Sequence, residues 1–290
     1  MKKKQPFVLS IDFEDFSYDY ARSLGISEKN LRINQLEKSY IFIKNLINKY
    51  FENKTLTFFV TGIVVENAKD LVKQIISDGN EISSHYYHHD IIYKQTSNEF
   101  EYNLKKAVNI IEKVSGKIPL GFRAPSFSIK PSNKWAYKII MNNFKYDSSF
   151  VTNKSYDTMK IEKKYLFEKN DFREIFIFSR PIIFNKFQIR SGGTSFKLFS
   201  NSSTKKTLEL TAINGHLPQI YLHPYEFLTH NEFLLSWRDL NGLSLKNKIY
   251  NRLRQNQWHT FGNNTVKEKL KNLSQSYTHV GKLENTGDYV

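Results

Sequence analysis

The chain has 290 residues, 40% of them hydrophobic and 15% aromatic, which excludes a disordered chain and allows a substantial core. Cysteine is absent, so disulfides and thiolate metal sites are excluded and any metal must bind His, Asp or Glu. Lys and Arg number 43 against 28 for Asp and Glu, giving a net charge of +15 that attracts polyanions.

The first predicted element is a buried strand over residues 7–13, FVLSIDF, which follows three lysines and ends in acidic residues. This apolar run is too short for a signal peptide. No later segment approaches the roughly 18 uninterrupted apolar residues of a membrane span. We therefore expect a cytoplasmic protein.

Helices and strands alternate through the next part of the chain. Apolar residues at helical spacing predict a helix over 30–52, and the run LTFFV predicts a strand over 56–60. A second helix ends near Gly79, and a third strand, 80–85, leads into a group of histidines. The alternation is typical of a parallel sheet covered by helices.

The third helix begins with the capping-box pair Thr96 and Glu99 and stops at Gly116. A fourth strand follows at 121–125 and a fourth helix at 131–143. The pattern predicts an α/β fold whose sheet is either open or closed into a barrel. In such folds, functional groups collect at the C-terminal ends of the strands.

The alternation loosens beyond residue 150. Residues 151–173 are predicted to form a loop, followed by strands at 173–178 and 186–193, a helix at 205–214 and a last strand at 219–227.

Residues 230–290 are basic, rich in Asn and helical in pattern. We expect a barrel over residues 1–229 and, over 230–290, a basic helical C-terminal extension that packs on the barrel. This extension mixes basic and aromatic side chains, as nucleic-acid or membrane surfaces do. These residues include Trp237, Arg238, Arg252, Arg254 and Trp258.

The stretch EISSHYYHHD, residues 81–90, holds three of the eight histidines of the chain. His85 and His89 are four residues apart, so on a helical turn both rings would project to one side, while His88 would point elsewhere. Two such imidazoles can bind Zn²⁺. The alternative is a polar turn with rings that face solvent.

Two acids close the first strand. Because a strand alternates its faces, Asp12 and Glu14 share one side while Phe13 and Asp15 take the other. Adjacent carboxylates repel unless a cation or an arginine lies between them. This pattern fits a metal ligand beside a general base, and its alternative is an acidic loop without function.

Arg123 and His223 each end a predicted strand. The guanidinium can hold a carboxylate in its charged form, and the imidazole can donate a proton to a leaving group. Taken singly, each could be an ordinary surface or hydrogen-bonded residue.

Together these motifs resemble the polysaccharide deacetylases of carbohydrate esterase family 4, also called the NodB-homology domain, over roughly residues 7–227. The matching segments, in the family's order, are SIDFED, TLTFFVTG, HYYHH, RAPSFS and YLH. The signatures DxED, GFRAPSFSI, YDSS, SGG and HPxE are similar to a branch that acts in exopolysaccharide and surface-glycan assembly.

The resemblance implies a distorted (β/α) barrel that removes an N-acetyl or related acyl group from an amino sugar. It implies a divalent metal ion, with Zn²⁺ as the first choice, bound by His85, His89 and a carboxylate. Phe13 separates acids that are adjacent in typical members, so the carboxylate is Glu14 or Asp15, and strand alternation favours Glu14.

By the same resemblance, Asp12 is the general base, held by Arg123, and His223 is the general acid. The acid that orients His223 has no clean match, and Glu174 is the candidate. Further residues are expected to contact the sugar: Ser126, Phe127, Gly192, Gly193 and Tyr225.

A cytoplasmic deacetylase would act on a nucleotide-linked or lipid-linked glycan precursor, whose phosphates suit the positive charge. The alternatives are a metal-free C–N hydrolase or acyl-transfer enzyme on the same scaffold, and a glycan-binding module without catalysis. No nucleic-acid partner is expected, because no compact basic run occurs. A peripheral membrane contact through the basic surface is left open, as is the oligomeric state.

Overall fold

The computed structural model describes residues 4–26, 30–167, 171–182, 187–228 and 232–287. Its strands are β1 (Gln5–Phe13), β2 (Thr57–Val60), β3 (Glu81–Ser84), β4 (Gly121–Phe122), β5 (Tyr146–Asp147), β6 (Val151–Thr152), β7 (Arg173–Glu174), β8 (Ile177–Ile182), β9 (Phe187–Arg190), β10 (Gln219–Leu222) and β11 (Tyr277–His279).

The helices lie between and after these strands. They are α1 (Phe16–Ser23), α2 (Ile33–Tyr50), α3 (Gly62–Asn67), α4 (Lys69–Ser77), α5 (Ser97–Ser115), α6 (Lys134–Asn143), α7 (Tyr156–Glu162), α8 (Gly193–Leu198), α9 (Asn201–Ile213), α10 (Leu245–His259) and α11 (Asn263–Ser276).

The main sheet has the order β10-β1-β2-β3-β4-β5-β7, and every neighbouring pair in it is parallel. Helices follow most of its strands, so the sheet curls with one layer of helices outside. The distorted (β/α) barrel predicted from the sequence is confirmed. All strand ends that carry the candidate site therefore meet at one rim.

The ring closes by an irregular seam. A second sheet, β6-β8-β9, continues the wall, and its β8–β9 pair is antiparallel. From there to β10 the described residues offer one isolated bridge, Gly192 to Tyr221. The side chain of Gln219 spans the rest, because its Nε2 donates to the carbonyl oxygens of Ile175 and Phe176 at 3.1 Å each.

Burial explains why the inner strands lack polar alternation. Strand β1 is buried on both faces from Phe7 onward, since the barrel interior lies on one side and helices on the other. Helix α5 buries a stripe of four residues, and its predicted capping box, Thr96 with Glu99, is present. Gly116 ends the helix in the left-handed conformation, as its position predicts.

Some predicted elements differ from the structure. Residues 151–173 were predicted as a loop, but they hold β6 and the short helix α7, which Ser155 caps. The predicted strand 219–227 ends at Leu222, because Pro224 lacks an N–H and starts a 3₁₀ turn. Residue 186, at the start of the predicted strand 186–193, lies outside the described residues.

The C-terminal extension packs on the barrel at two places. Helix α11 contributes Val266, Leu270 and Leu273 to the main core cluster, and β11 pairs in parallel with the start of β1. The predicted boundary at residues 229 and 230 lies outside the described residues and stays a prediction. In the ranges described, every helix is too short or too polar to cross a bilayer.

Candidate active site

A cavity of about 650 Å³ opens at the C-terminal rim of the barrel strands. Most of the residues predicted for the site line it: Asp12, Glu14, His85, His89, Ser126, Phe127, Gly192, Gly193, His223 and Tyr225. Arg123 lies beneath the floor, fully buried. Glu174 does not line the cavity either.

Glu14, His85 and His89 form the core of the cavity floor. One ligand atom from each lies within 4.8 Å of the other two. The Glu14 Oε2 atom is 2.9 Å from His89 Nε2 and 3.4 Å from His85 Nε2. The same oxygen is buried and makes no hydrogen bond within the described part of the chain, which is what an atom reserved for a cation would show.

The other ring nitrogen of His85, Nδ1, already makes a hydrogen bond. Its Nδ1 lies 2.8 Å from the carbonyl oxygen of Arg123, and a carbonyl can only accept, so Nδ1 carries the proton. The lone pair of His85 is therefore on Nε2, which faces Glu14. Metal-binding histidines are commonly oriented in this way. The donor set of two imidazoles and one carboxylate fits a divalent ion such as Zn²⁺.

The charges agree with this assignment. Burial raises the pKa of Glu14, but the nearby charge of His89 and the close approach of both imidazoles hold it well below its usual range. Burial lowers the pKa of His89, yet Glu14 outweighs burial and raises it to about 9. A buried carboxylate thus stabilises positive charge at this point of the cavity.

The histidine pair is not on a helical turn, so that part of the sequence interpretation is wrong. Residues 85–90 form an irregular loop in which Tyr86 has a φ of 71°. The Tyr86 ring stacks on Phe100, and the carbonyls of Tyr86 and Tyr87 accept N–H groups from the start of α3. The loop, rather than helical spacing, turns both rings to Glu14.

Asp15 is the alternative carboxylate, and the structure gives it a different role. Its Oδ1 accepts the backbone N–H and the hydroxyl of Ser17 at 2.9 and 2.6 Å, as the N-cap of α1. Asp15 points away from the histidines, as strand alternation predicts. Glu14 is the carboxylate that reaches them.

Asp12 and Arg123 form a buried ion pair. Arg123 Nη1 lies 2.6 Å from Asp12 Oδ1 and 2.9 Å from the Ser10 hydroxyl. Its other nitrogens donate to Ser148 and to Gln219 Oε1, so the guanidinium is satisfied on all sides. Arg123 therefore fixes the position of Asp12 and balances its charge.

His223 faces Asp12 from the end of the neighbouring strand β10, with Nε2 at 3.9 Å from Asp12 Oδ2. Its Nδ1 lies 3.3 Å from Glu226 Oε2, and its backbone N–H donates to the same oxygen at 2.9 Å. Burial lowers the pKa of His223, but Glu226, and less strongly Glu14 and Asp12, raise it above its ordinary value. Glu226 is the acid that orients this imidazole.

The prediction that Glu174 orients His223 is wrong. Glu174 follows the barrel wall on β7, opposite Asp147 of β5, and its Oε1 accepts the Phe150 N–H at 3.2 Å. Sequence reasoning missed Glu226, although it is the acid in the HPxE signature. A position three residues after His223 brings it back over the ring by the 3₁₀ turn.

Gly192 of the SGG motif also has a packing role, while its predicted contact with a sugar stays a prediction. A Cβ on Gly192 would lie 2.4 to 2.5 Å from the ring and backbone of Tyr221, so a side chain there would prevent this closure of the barrel. Gly193 does line the cavity, with a φ of +52°.

Three further residues of the cavity wall were not predicted. Asp19 of α1 lies beside His89, and burial raises its pKa well above the usual range. Arg190 ends β9, and Trp258 comes from α10 in the C-terminal extension. The sequence offered no motif for Asp19 or Arg190, because neither belongs to a segment with catalytic spacing.

An α/β barrel with carboxylates and imidazoles gathered at the strand ends defines a candidate divalent-metal centre. Comparison with known sequences agrees with the motifs: the family model described as polysaccharide deacetylase matches residues 46–139. The resemblance predicted from the motifs is confirmed over these residues, which are similar to the polysaccharide deacetylase family. The surface-glycan branch stays a prediction.

Two curated relatives extend this result. A peptidoglycan deacetylase of Helicobacter pylori is 29% identical over 141 residues, which are 48% of this chain and 43% of that protein. A peptidoglycan-N-acetylglucosamine deacetylase of Bacillus cereus is 31% identical over 85 residues, 29% of this chain and 31% of that protein. The chain thus matches less than half the length of either relative.

Two solved structures have a chain path that partly resembles this one. The peptidoglycan deacetylase PdaC of Bacillus subtilis gives a TM-score of 0.45 at 14% identity, covering 99% of this chain and 92% of that one. A pseudoenzyme of carbohydrate esterase family 4 from Bacillus anthracis gives 0.45 at 14%, covering 98% and 65%. Both likenesses are weak, and we draw no conclusion about this chain from them.

Proposed function

We propose that this protein is a metal-dependent carbohydrate N-deacetylase, a hydrolase that removes an N-acetyl or related acyl group from an amino sugar. The observation that carries the proposal is the convergence of Glu14, His85 and His89 beside Asp12 in one cavity. A glycan-binding module has no need of a buried base and an oriented imidazole around the same space.

The three ligand residues would hold the ion, and Zn²⁺ is the first choice for this donor set. A bound divalent ion lowers the pKa of a water and polarises an acyl oxygen. Asp12 lies beside the ligands and would accept the proton of the attacking water at its Oδ2, while Arg123 occupies Oδ1.

His223 would donate the proton that the leaving amine needs. Amines leave poorly without protonation, so a general acid is required for an amide substrate. The pKa of His223 lies above its ordinary value, which favours the protonated ring. Its Nε2 lies 3.9 Å from Asp12 Oδ2 at the rim of the cavity, so base and acid can act on one acyl group.

The proposal is tested by metal content and acetate release. Purified His85→Ala and His89→Ala are expected to lose stoichiometric Zn²⁺ by elemental analysis and to release no acetate from chito-oligosaccharides. His88→Ala is the matched control on the same loop, since His88 is outside the metal-type cluster, and it should retain both. Full metal content in the His85 and His89 variants would refute the ligand assignment. Metal-free protein with full activity would favour the metal-free C–N hydrolase.

For the substrate we propose an amino sugar that carries phosphate, as nucleotide-linked and lipid-linked surface-glycan precursors do. Arg190 supports this choice, because it places a cationic side chain in the cavity lining. Its guanidinium lies 5.3 Å from the Phe127 ring centroid, and within the described ranges it forms no ion pair. A cytoplasmic location belongs to the same proposal.

Arg190→Gln separates this substrate class from neutral oligosaccharides. We expect KM for a nucleotide-linked N-acetylamino sugar to rise about tenfold or more, since one charge-assisted contact is lost. KM for uncharged chito-oligosaccharides should not change. Equal effects on both substrates would contradict a phosphate contact at Arg190 while leaving the deacetylase proposal in place.

A further inference from the structure

Helix α10 has its polar and apolar faces reversed. The residues that it buries are Asn251, Gln255 and His259, which recur every four positions. Its outward face instead carries large apolar side chains, which are 66% exposed at Leu245 and 67% at Leu253. A surface helix ordinarily buries its apolar face and exposes the polar one.

The buried polar face is firmly anchored. The Tyr20 hydroxyl donates to Asn251 Oδ1 at 2.5 Å, and the Leu235 N–H donates to Gln255 Oε1 at 2.6 Å. The ring centroid of His259 lies 4.0 Å from that of Tyr225. These contacts fix the rotation of α10 about its axis. Its apolar residues therefore face outward in the folded protein.

The outward face forms one continuous apolar strip, which we name the α10 strip. Three members, Leu245, Ile249 and Leu253, follow each other at intervals of four and so lie in a row along the helix. Tyr250, 61% exposed, lies next to this row. Grouped exposed apolar side chains of this kind mark an interaction surface, whereas single ones do not.

The charge of α10 identifies the partner. The helix contains four basic residues and no Asp or Glu; the basic residues are Lys246, Lys248, Arg252 and Arg254. An apolar strip with basic residues and no acids is typical of helices that lie in the interface of an anionic membrane. We propose that the α10 strip docks this protein on an anionic lipid bilayer.

Two other occupants fit less well. A second copy would bring the same basic residues together with no acid on either α10 to balance them. A nucleic acid is bound by a series of aromatic platforms, whereas the α10 strip has one exposed aromatic ring, Tyr250, beside an aliphatic row. Helix α10 also contributes Trp258 to the cavity wall, so a docked α10 would hold the cavity next to the lipid surface.

The test is co-sedimentation of the purified protein with lipid vesicles. Wild-type protein should bind vesicles of phosphatidylcholine mixed with phosphatidylglycerol, and bind phosphatidylcholine alone weakly. Replacing all three row residues by serine, Leu245→Ser, Ile249→Ser and Leu253→Ser, should weaken the partition about 100-fold, because three large apolar side chains no longer enter the lipid.

Two matched variants complete the test. Ile161→Ser with Ile213→Ser removes apolar side chains that are 80% and 78% exposed elsewhere, and its binding should be unchanged. Lys246→Gln with Lys248→Gln should weaken binding about tenfold or more and reduce its salt dependence. If the serine variant does not fold, the Lys246→Gln with Lys248→Gln variant tests the proposal instead.

Several outcomes overturn the proposal. They are equal sedimentation of the serine variant and wild type, no preference of wild type for phosphatidylglycerol, a dimer that the serine variant abolishes, and tighter binding of an RNA oligonucleotide than of vesicles. Acetate release from soluble chito-oligosaccharides, measured in parallel, should be the same for the serine variant and wild type. Vesicle binding without acetate release would leave this proposal standing and defeat the deacetylase.

Discussion

At the scale of single residues, the candidate site depends on which side chain fixes the orientation of another. Asp12 is held by Arg123, His85 by the Arg123 carbonyl, and His223 by Glu226. Residue 123 therefore positions one residue with its side chain and a second with its backbone. Any substitution there would disturb base and metal ligand together.

Replacing Glu226 tests whether its carboxylate acts on His223 or only stabilises the fold. The carboxylate raises the pKa of His223, so Glu226→Gln should lower it. Because the acid must be protonated, the alkaline limb of the kcat/KM profile should move to lower pH by about one unit for an amide substrate. An activated ester, whose leaving group needs no proton, provides the control. An unchanged alkaline limb would show that Glu226 does not act on His223.

The sequence predicted the residues that gather in the cavity better than the residues that orient them. Strand alternation placed Asp12 and Glu14 on one side of β1 correctly, because a two-residue period holds inside any strand. The helical turn predicted for His85 and His89 was wrong, since the positive φ of Tyr86 depends on packing against Phe100. Contacts between distant segments leave no local pattern in the sequence.

At the scale of elements, β5 and β7 place two acids opposite each other. Asp147 pairs in register with Glu174, and both are buried. Burial raises the pKa of Asp147 to about 6, and burial together with Asp147 raises that of Glu174 well above its usual range. Burial therefore favours the protonated form of both carboxyl groups inside the wall of the barrel.

This pair predicts how stability depends on pH. A carboxyl group whose pKa is raised by folding contributes stability that is present below the unfolded pKa and is lost as pH rises through the folded pKa. Wild-type protein should therefore lose stability from about pH 4 through pH 6 and above. Glu174→Gln should flatten this dependence in thermal melts.

Activity provides the comparison for that variant. Glu174→Gln should retain kcat/KM, because Glu174 does not reach the cavity, while Glu226→Gln should not. A loss of activity in Glu174→Gln at unchanged stability would restore Glu174 to the catalytic set.

The elements themselves were largely predictable up to α6 and less so beyond it. Capping and apolar periodicity in α5 are local signals, and the structure follows them from Thr96 to Gly116. Residues 151–173 are polar and aromatic without a period, and the short elements β6 and α7 in them depend on tertiary packing. Helix α10 shows the limit of pattern reading, since its buried face is polar.

At the scale of the whole molecule, Gln219 completes the ring. Its amide donates to two carbonyls on the far side of the seam, while its oxygen accepts from Arg123 Nη2 at 3.2 Å and from the Ser148 hydroxyl at 3.3 Å. One side chain therefore links the barrel wall to the residue that holds the base.

Gln219→Leu should lower the free energy of unfolding by about 3–5 kcal/mol, because several buried polar groups lose their partner at once. Urea denaturation measures the change. Gln74→Leu, an exposed substitution of the same type on α4, should stay within about 0.5 kcal/mol of wild type. A loss below about 1 kcal/mol in Gln219→Leu would mean that the seam is held by other contacts.

The seam also determines where we expect the barrel to open locally. Neighbouring strands of the main sheet share backbone ladders, whereas in the described residues the seam is joined by one isolated bridge and the Gln219 side chain. On warming, we expect the seam to open before the ladders, so the amides of β8 should exchange with deuterium before those of β1 and β2. Water that enters at the seam would reach Arg123, which Gln219 contacts there, so activity should be lost at a lower temperature than the fold.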